Sequence, residues 1–168
     1  LKAVAMLSMR EELSVREELV GFALGRLAPE TYAVLTQGQA AMRKLQLNFL
    51  GTEGLLLGLL AAETSAASQA LGEQGVDYAT AEPLIRDWLA NHTVPPTDIP
   101  AEIPFTPRTN RVLELAAKQA QRQGESQITP QHLLRGILQE GESGGGLAMH
   151  VLQTCGVDCD RLQQQLTS

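Results

Sequence analysis

The fold is decided by the stretch Gly51-Thr52-Glu53-Gly54-Leu55-Leu56-Leu57-Gly58-Leu59-Leu60, which has a counterpart in Thr129-Pro130-Gln131-His132-Leu133-Leu134-Arg135-Gly136-Ile137-Leu138. We call these stretches the first and second motifs. Aligning Gly58 with Gly136 gives an offset of 78 residues (136 − 58), and the same offset places Val34-Leu35 on Val112-Leu113. This agreement predicts an internal duplication, in which each unit needs the other to cover its apolar face.

The two copies differ in length after the motifs. Gly75-Val76-Asp77 corresponds to Gly156-Val157-Asp158 at an offset of 81 residues (156 − 75). The second copy therefore holds three extra residues (81 − 78), and we expect them near the glycines at 144–146.

The composition predicts an all-α protein. Aromatic residues make up only 4% of the 168 residues, and Leu and Ala dominate the apolar positions. Helices packed through aliphatic side chains suit this composition better than sheets rich in Val, Ile and Tyr. The length suits one compact domain.

Charge and cysteine content argue against several classes of protein. A net charge of −6 provides no basic face, so we expect no nucleic-acid partner. No apolar run approaches the roughly 18 residues of a spanning helix, so we expect no membrane partner. Cys155 and Cys159 are too few for a secreted disulfide framework and favour a reducing compartment. Because the chain begins with Leu1, we expect a processed mature protein or an excerpt.

Capping residues and apolar spacing predict four helices in each copy. In the first copy we expect helices at about 29–46, from a Thr52 cap through the first motif, at about 65–74, and from an Asp77 cap through Leu89. In the second copy we expect Thr106 to cap a helix that starts at Pro107, Thr129-Pro130 to begin the next, and the last helix to end near Leu166.

This pattern predicts four parts of the chain. Residues 1–26 form a helical extension that either pads the first repeat or docks a partner. Residues 27–92 are the first repeat, 93–104 a proline-rich linker and 105–168 the second repeat. The linker cannot continue a helix, because each proline removes a donor and fixes φ. We expect the two repeats to form one compact domain.

The linker and the opening of the second repeat carry a family resemblance. Glu102-Ile103-Pro104-Phe105-Thr106-Pro107-Arg108, followed by Arg111-Val112-Leu113-Glu114-Leu115-Ala116, resembles the same region of the Clp amino-terminal domain, the double-repeat module of ClpC-type AAA+ chaperones. The first motif and both Gly-Val-Asp sequences are similar to that family too, so the resemblance covers roughly residues 27–168. It implies a pseudo-twofold bundle of eight helices that binds proteins and catalyses no reaction.

The resemblance also implies where proteins bind. ClpC-type domains carry an acidic residue in each motif, and in some bacteria these residues form pockets for phosphorylated arginine on substrates. The matching positions here are Glu53 and Gln131, and with their neighbours Thr52 and His132 they are our candidate protein-binding residues. A neutral amide cannot pair ionically with a guanidinium group, so we expect two unequal sites. The simpler interpretation makes Glu53 a first-turn carboxylate favoured by the helix dipole, and His132 a residue at a helix N-terminus that caps or packs locally.

The added segment and the altered second motif look more like the ClpT accessory subunits of plastid Clp proteases. Those are stand-alone double-repeat proteins that associate with the ClpP/ClpR core. The resemblance implies a non-catalytic accessory subunit of the chloroplast stroma, with that core and possibly a ClpC-type chaperone as partners, and without a cofactor. The alternative is the adaptor- and substrate-binding amino-terminal domain of a ClpC-like ATPase, in a plastid or in a bacterial or cyanobacterial cytoplasm.

Two patterns suggest chemistry, and we expect neither to perform it. Gly141-Glu142-Ser143-Gly144-Gly145 matches the nucleophile elbow of α/β-hydrolases, but that elbow follows a strand, and a helix is predicted here. His150, Cys155 and Cys159 provide fewer ligands than the four that a structural zinc ion usually takes. We therefore expect no catalytic residues and no metal site.

Overall fold

The computed structural model describes residues 21–167, so most of the predicted extension lies outside the described residues. The described chain opens with a helical turn at 21–24. Its helices are α1 (Pro29–Lys44), α2 (Thr52–Ala61), α3 (Ala66–Glu73), α4 (Tyr78–His92), α5 (Pro107–Arg122), α6 (Pro130–Gly141), α7 (Leu147–Thr154) and α8 (Cys159–Thr167). The only extended pairing between residues 21 and 167 is a pair of isolated bridges. The prediction of an all-α, duplicated four-helix fold is confirmed.

Local signals place most helix ends. Helix α5 starts at Pro107, and the Thr106 hydroxyl accepts a hydrogen bond from the Thr109 N–H at 3.2 Å, as predicted. Asp77 caps α4 by accepting from the Thr80 N–H at 2.8 Å. Gly75 follows α3 with a φ of +83°, a left-handed conformation that glycine adopts readily. Proline, capping side chains and glycine act within one helical turn, so they can be recognised from sequence.

Three details of the prediction need correction. Helix α1 ends at Lys44 and not near 46, because Gln46 takes a φ of 60° that ends the helix. The N-cap of α2 is Gly51, and Thr52 is already the first helical residue. The three extra residues are split, since α6 has 12 residues against 10 in α2, and the loop 142–146 is one residue longer than the loop 62–65.

Two short backbone pairings join the repeats, and each is the counterpart of the other. Leu27 pairs with Ile128, and Leu50 pairs with Phe105. Adding 78 to 27 and 50 gives 105 and 128, so the second pairing is the first with the copies exchanged. The backbone hydrogen bonds follow the same rule, because the Ala28 N–H donates to Ile128 at 3.0 Å and the Thr106 N–H donates to Leu50 at 3.0 Å.

Two buried threonines reinforce these pairings. The Thr31 hydroxyl donates to the carbonyl oxygen of Ile128 at 2.7 Å, and the Thr109 hydroxyl donates to the carbonyl oxygen of Leu50 at 2.8 Å. Both threonine side chains are inaccessible to solvent. Each repeat therefore begins by bonding to the loop that precedes the motif helix of the other repeat.

Helices α2 and α6, which carry the motifs, lie at the centre of the bundle. They contact each other, and each also contacts helices of the opposite repeat. A Cβ placed on Gly58 would collide with the carbonyl oxygen of Val34, and one on Gly136 would lie 2.7 Å from that of Val112. Both motifs thus need glycine where α2 crosses α1 and where α6 crosses α5.

Within the described part of the chain, no single helix is long and apolar enough to cross a membrane. By length and composition α2 and α3 pass that test only as a pair, and the break between them bends by 96°.

Candidate functional site

The candidate residues lie at the N-terminal ends of the two motif helices. Thr52 is the first residue of α2 and is 3% exposed. Its hydroxyl oxygen accepts a hydrogen bond of 3.4 Å from the Ala148 N–H at the start of α7, in the second repeat. The predicted capping role was wrong because the Thr52 hydroxyl bonds across the two repeats. Thr52 can support a binding surface, but most of it is hidden from a partner.

Glu53 occupies the first turn of α2, as predicted. It is half-buried, whereas its neighbours Thr52 and Gly54 are buried. Its carboxylate lies so close to Gly51 that any side chain at that position would collide with it. Burial raises the pKa of the Glu53 carboxyl, although a hydrogen bond with its own backbone partly opposes the shift. Glu53 has no ion-pair partner among residues 21–167. It is a desolvated acid that an incoming cation would stabilise.

The second motif uses its helix start differently. The Nδ1 atom of His132 accepts a hydrogen bond from the Thr129 N–H at 2.9 Å. Its Nε2 atom lies 2.8 Å from Gln123 Oε1, so the proton sits on Nε2 and is donated to the amide oxygen. Burial lowers the pKa of His132; Glu125 opposes that shift and Arg135 adds to it. His132 is 2% exposed, and the structure places it as a cap inside the second repeat.

The alignment of the two copies shows which residues are equivalent at the N-terminal ends of the two motif helices. The offset of 78 places Glu53 on Gln131 and Gly54 on His132. The first copy has an acid with no capping side chain, and the second has a capping imidazole beside a half-buried, neutral Gln131. The structure brings Thr52 and Glu53 together at one helix start, and Gln131 and His132 together at the other.

A charged pair that no sequence pattern predicted lies near Thr52. Arg108, in the first turn of α5, forms an ion pair of 2.6 Å with Glu140 near the end of α6. Glu140 is 6% exposed, whereas the Arg108 side chain is about half exposed. A Cβ placed on Gly146 would lie 2.8 Å from the Thr52 hydroxyl and 3.1 Å from Arg108. The ion pair lies within the second repeat, near the loop glycine that approaches Thr52 of the first repeat, and no short sequence motif predicts it.

An apolar groove of about 490 Å³ runs beside the linker. We call it the linker groove, and its apolar wall is formed by Leu24, Leu27, Tyr32, Leu35 and Phe105. Tyr32 is 66% exposed and Leu24 is 38% exposed. Grooves of this size and character are typical of binding sites. Helical periodicity alone did not reveal it, because its walls come from three separate parts of the chain.

The two patterns that suggested chemistry lack the surroundings that such chemistry requires in the part of the chain that the structure describes. Between residues 21 and 167, no three His, Cys, Asp or Glu side chains are placed to hold a metal ion. Burial raises the pKa of both Cys155 and Cys159, which keeps them as thiols. The Gly-x-Ser-x-Gly sequence starts at the last residue of helix α6, not after a strand.

Two crosswise-bonded repeats with their motif helices at the centre define a class of all-α, double-repeat domains. The chain belongs to the family described as "Clp repeat (R) N-terminal domain", which matches residues 26–146 and 105–168. The resemblance to the Clp amino-terminal domain is therefore confirmed.

Curated relatives of this family include chloroplast chaperones. The chain is 35% identical over 141 residues to chaperone protein ClpC1, chloroplastic, of Oryza sativa subsp. japonica; the match covers 84% of this chain and 15% of that protein. It is 34% identical over 141 residues to the ClpA homolog of Guillardia theta, over 84% of this chain and 16% of that protein. The chain thus spans only about 15% of the length of these relatives.

Solved structures share the fold. The amino-terminal domain of the chaperone ClpD from Arabidopsis thaliana matches with a TM-score of 0.69 and 20% identity, over 85% of this chain and 96% of that one. The Hsp104 amino-terminal domain from Candida albicans matches with a TM-score of 0.67 and 14% identity, over 84% and 89%. At these identities the similarity establishes the fold alone.

Proposed function

We propose that this chain is a non-catalytic accessory subunit that docks on the ClpP/ClpR core of a plastid Clp protease. The observation that carries the proposal is the inequality of the two motif starts: Glu53 is an acid with no ion-pair partner among residues 21–167, whereas its counterpart Gln131 is neutral and the neighbouring His132 is an internal cap. A receptor with two equivalent acidic pockets would need an acid in both copies. The chain has one, so substrate reception is not its main role.

The docking surface in this proposal is the linker groove. Tyr32 and Leu24 present apolar area to solvent, and tyrosine is among the residues that contribute most to the affinity of protein interfaces. The linker wall of the groove is fixed, because Gln39 Nε2 donates to the Ile103 carbonyl oxygen at 3.3 Å and Ile103 is 2% exposed. A preformed wall loses little entropy on binding.

The test is a pull-down of the purified ClpP/ClpR core by the full chain. We expect Tyr32→Ser to weaken the binding about tenfold, the effect of losing about 1.4 kcal/mol. Val94→Ser is the matched control, because Val94 is 88% exposed and lies outside the groove. Absence of binding by the full chain, or equal effects of the two substitutions, would contradict the proposal.

A second pull-down tests whether the amino-terminal segment takes part in binding to the protease core. Deleting residues 1–20 leaves Arg26, whose carbonyl oxygen accepts from the Ile128 N–H at 2.8 Å, so the junction between the repeats is kept. Weaker binding by the shortened chain would assign the segment a share of the docking; unchanged binding would place docking on the described domain alone.

The second candidate function is the adaptor- and substrate-binding domain of a ClpC-like chaperone. It is favoured by the 35% identity to a chloroplast ClpC1 over 84% of this chain. This role predicts that Glu53→Gln weakens binding of an arginine-bearing substrate peptide and leaves core binding unchanged. A reading frame that continues into a phosphate-loop ATPase would favour this candidate over the accessory subunit.

A further inference from the structure

The second repeat contains a polar groove that neither motif explains. It lies between α5, α6 and α8 and has a volume of about 320 Å³. We call it the glutamine groove, and it is lined by Gln119, Gln123, Gln139, Gln163, Arg122, Arg135 and Glu142. Four amides and two guanidinium groups around one cavity form a hydrogen-bonding surface, with little apolar wall.

The two arginines of the groove are available to a ligand. Neither Arg122 nor Arg135 forms an ion pair with any residue between 21 and 167. Glu142 is the only acid in the lining, so the groove has a local excess of positive charge although the chain carries −6. Guanidinium groups offer a planar fork of donors that matches a carboxylate.

Gln119 adds an acceptor that needs a donor. It is 7% exposed, and its Nε2 donates to Gln139 Oε1 at 3.1 Å. Its own Oε1 is buried and has no hydrogen-bond partner among the described residues. Buried side-chain acceptors normally have a partner, so this oxygen can accept a hydrogen bond from a donor outside the described chain.

The first repeat shows that the fold does not require these side chains. At the offset of 78, the residues that correspond to Gln119, Arg122, Arg135 and Gln139 are Ala41, Lys44, Leu57 and Ala61. Ala41 and Leu57 are buried in the core of the first repeat. The same helix pair therefore packs with small and apolar residues, and the polar set is particular to the second copy.

We propose that the glutamine groove binds an acidic peptide segment. Arg122 and Arg135 hold its side-chain carboxylates, and a backbone N–H of the peptide donates to Gln119 Oε1. The remaining glutamines pair with the peptide backbone, since each amide both donates and accepts. The inference rests on the proposed function only in taking the ligand to be a protein, and the groove is separate from the linker groove.

The probe is a fluorescein-labelled, carboxy-amidated hexaglutamate, titrated with the full chain at low ionic strength and read by anisotropy. We expect binding that hexaglutamine does not reproduce. Arg122→Gln and Arg135→Gln should each weaken binding about fivefold, and the double substitution well over tenfold. Glu142→Gln should tighten it about twofold, because it removes the opposing charge.

Lys44→Gln is the matched control. It removes one positive charge at the position of the first repeat that corresponds to Arg122, so net charge changes equally. We expect it to leave hexaglutamate binding unchanged within about twofold. If it weakens binding as much as Arg122→Gln does, or if the unmodified chain does not bind the peptide, the proposal is overturned.

A nuclear magnetic resonance titration locates the peptide. If the peptide enters the groove, the side-chain amide resonance of Gln119 shifts together with those of the arginines. Arginine shifts without a Gln119 shift would mean contact with the outer charges only, and would overturn the proposed site. If the chain binds the peptide but not the protease core, the accessory role is refuted and peptide binding in the glutamine groove is supported. If it binds the core but not the peptide, only the proposal for the glutamine groove is overturned.

Discussion

The reciprocal threonine bonds offer the sharpest test of how the repeats hold together. Thr31→Val and Thr109→Val each remove one buried hydroxyl that donates to a carbonyl of the opposite repeat, at 2.7 and 2.8 Å. Valine has nearly the same shape as threonine, so packing around the helix is kept. The substitutions therefore isolate the hydrogen bonds between the repeats.

The expected cost depends on the hydrogen bonds that each carbonyl keeps. Ile128 still accepts from the Ala28 N–H at 3.0 Å, so its oxygen is not left unpaired when the Thr31 hydroxyl is lost. The loss is then the net value of one hydrogen bond, about 1 kcal/mol in the free energy of unfolding. For a chain of this length that lowers the melting temperature by about 2–4 °C. Thr109→Val should cost slightly more, because the Thr109 hydroxyl also contacts the Thr106 hydroxyl at 3.0 Å.

Equilibrium urea unfolding, followed by circular dichroism, measures these costs. The matched control is Thr36→Val, whose hydroxyl also donates to a backbone carbonyl, at 3.0 Å, but is exposed and bonds within its own helix. We expect the control to change the free energy of unfolding by less than about 0.5 kcal/mol. If Thr31→Val costs no more than Thr36→Val, the crosswise bonds do not stabilise the joined repeats and our account of the duplication is wrong.

Three further predictions concern the motif helices. Gly58→Ala should lower the free energy of unfolding by about 3 kcal/mol, and Gly136→Ala by about half as much, because the added Cβ meets the Val34 or Val112 carbonyl. Gly72→Ala in α3, where nothing lies within 4 Å, should instead stabilise by about 0.5–1 kcal/mol; equal urea midpoints for the three would contradict this. His132 has a lowered pKa, so its stabilising contribution is complete above the unfolded value of about 6.5 and is lost as the pH falls through the folded pKa. The difference in urea midpoint between the unmodified chain and His132→Gln should shrink from neutral pH toward about pH 5, and a constant difference would refute the neutral cap. Glu53 has a raised pKa, so the charged form is disfavoured by folding at neutral pH; Glu53→Gln should keep or raise the melting temperature there, and a marked fall would show that the carboxylate is structural.

Features that act within one helical turn were predictable from the sequence. Pro107 and the Asp77 cap determine backbone geometry locally and were found where they were expected, and Gly75 lies just beyond the helix that was expected to end at about 74. The hydrogen bond of Thr52 could not be predicted in this way. Its side chain looks like a cap, but its hydrogen-bond partner Ala148 lies 96 residues away and comes near only when the repeats pack.

The binding surfaces were harder to predict because no single segment contains them. The linker groove combines the turn before α1, α1 itself and the linker; the glutamine groove combines three helices of the second repeat. The alignment of the copies did contain a usable signal. Gln119 falls on Ala41 and Arg135 on Leu57, and polar residues that replace apolar ones at equivalent positions can be recognised by comparing the two copies alone.

The symmetry of the fold explains how the two copies can differ so much in chemistry. The crosswise bonds of Thr31 and Thr109 and the glycine crossings are the same in both repeats, and none of these contacts involves Glu53 or His132. Glu53 is free to remain a desolvated acid with a raised pKa, an arrangement that folding alone does not favour. His132 at the other start improves the local hydrogen bonding instead. A stable, symmetric frame therefore holds one helix start with a desolvated acid and one with an internal cap, and Glu53 is the residue on which the second candidate function, substrate binding, would depend.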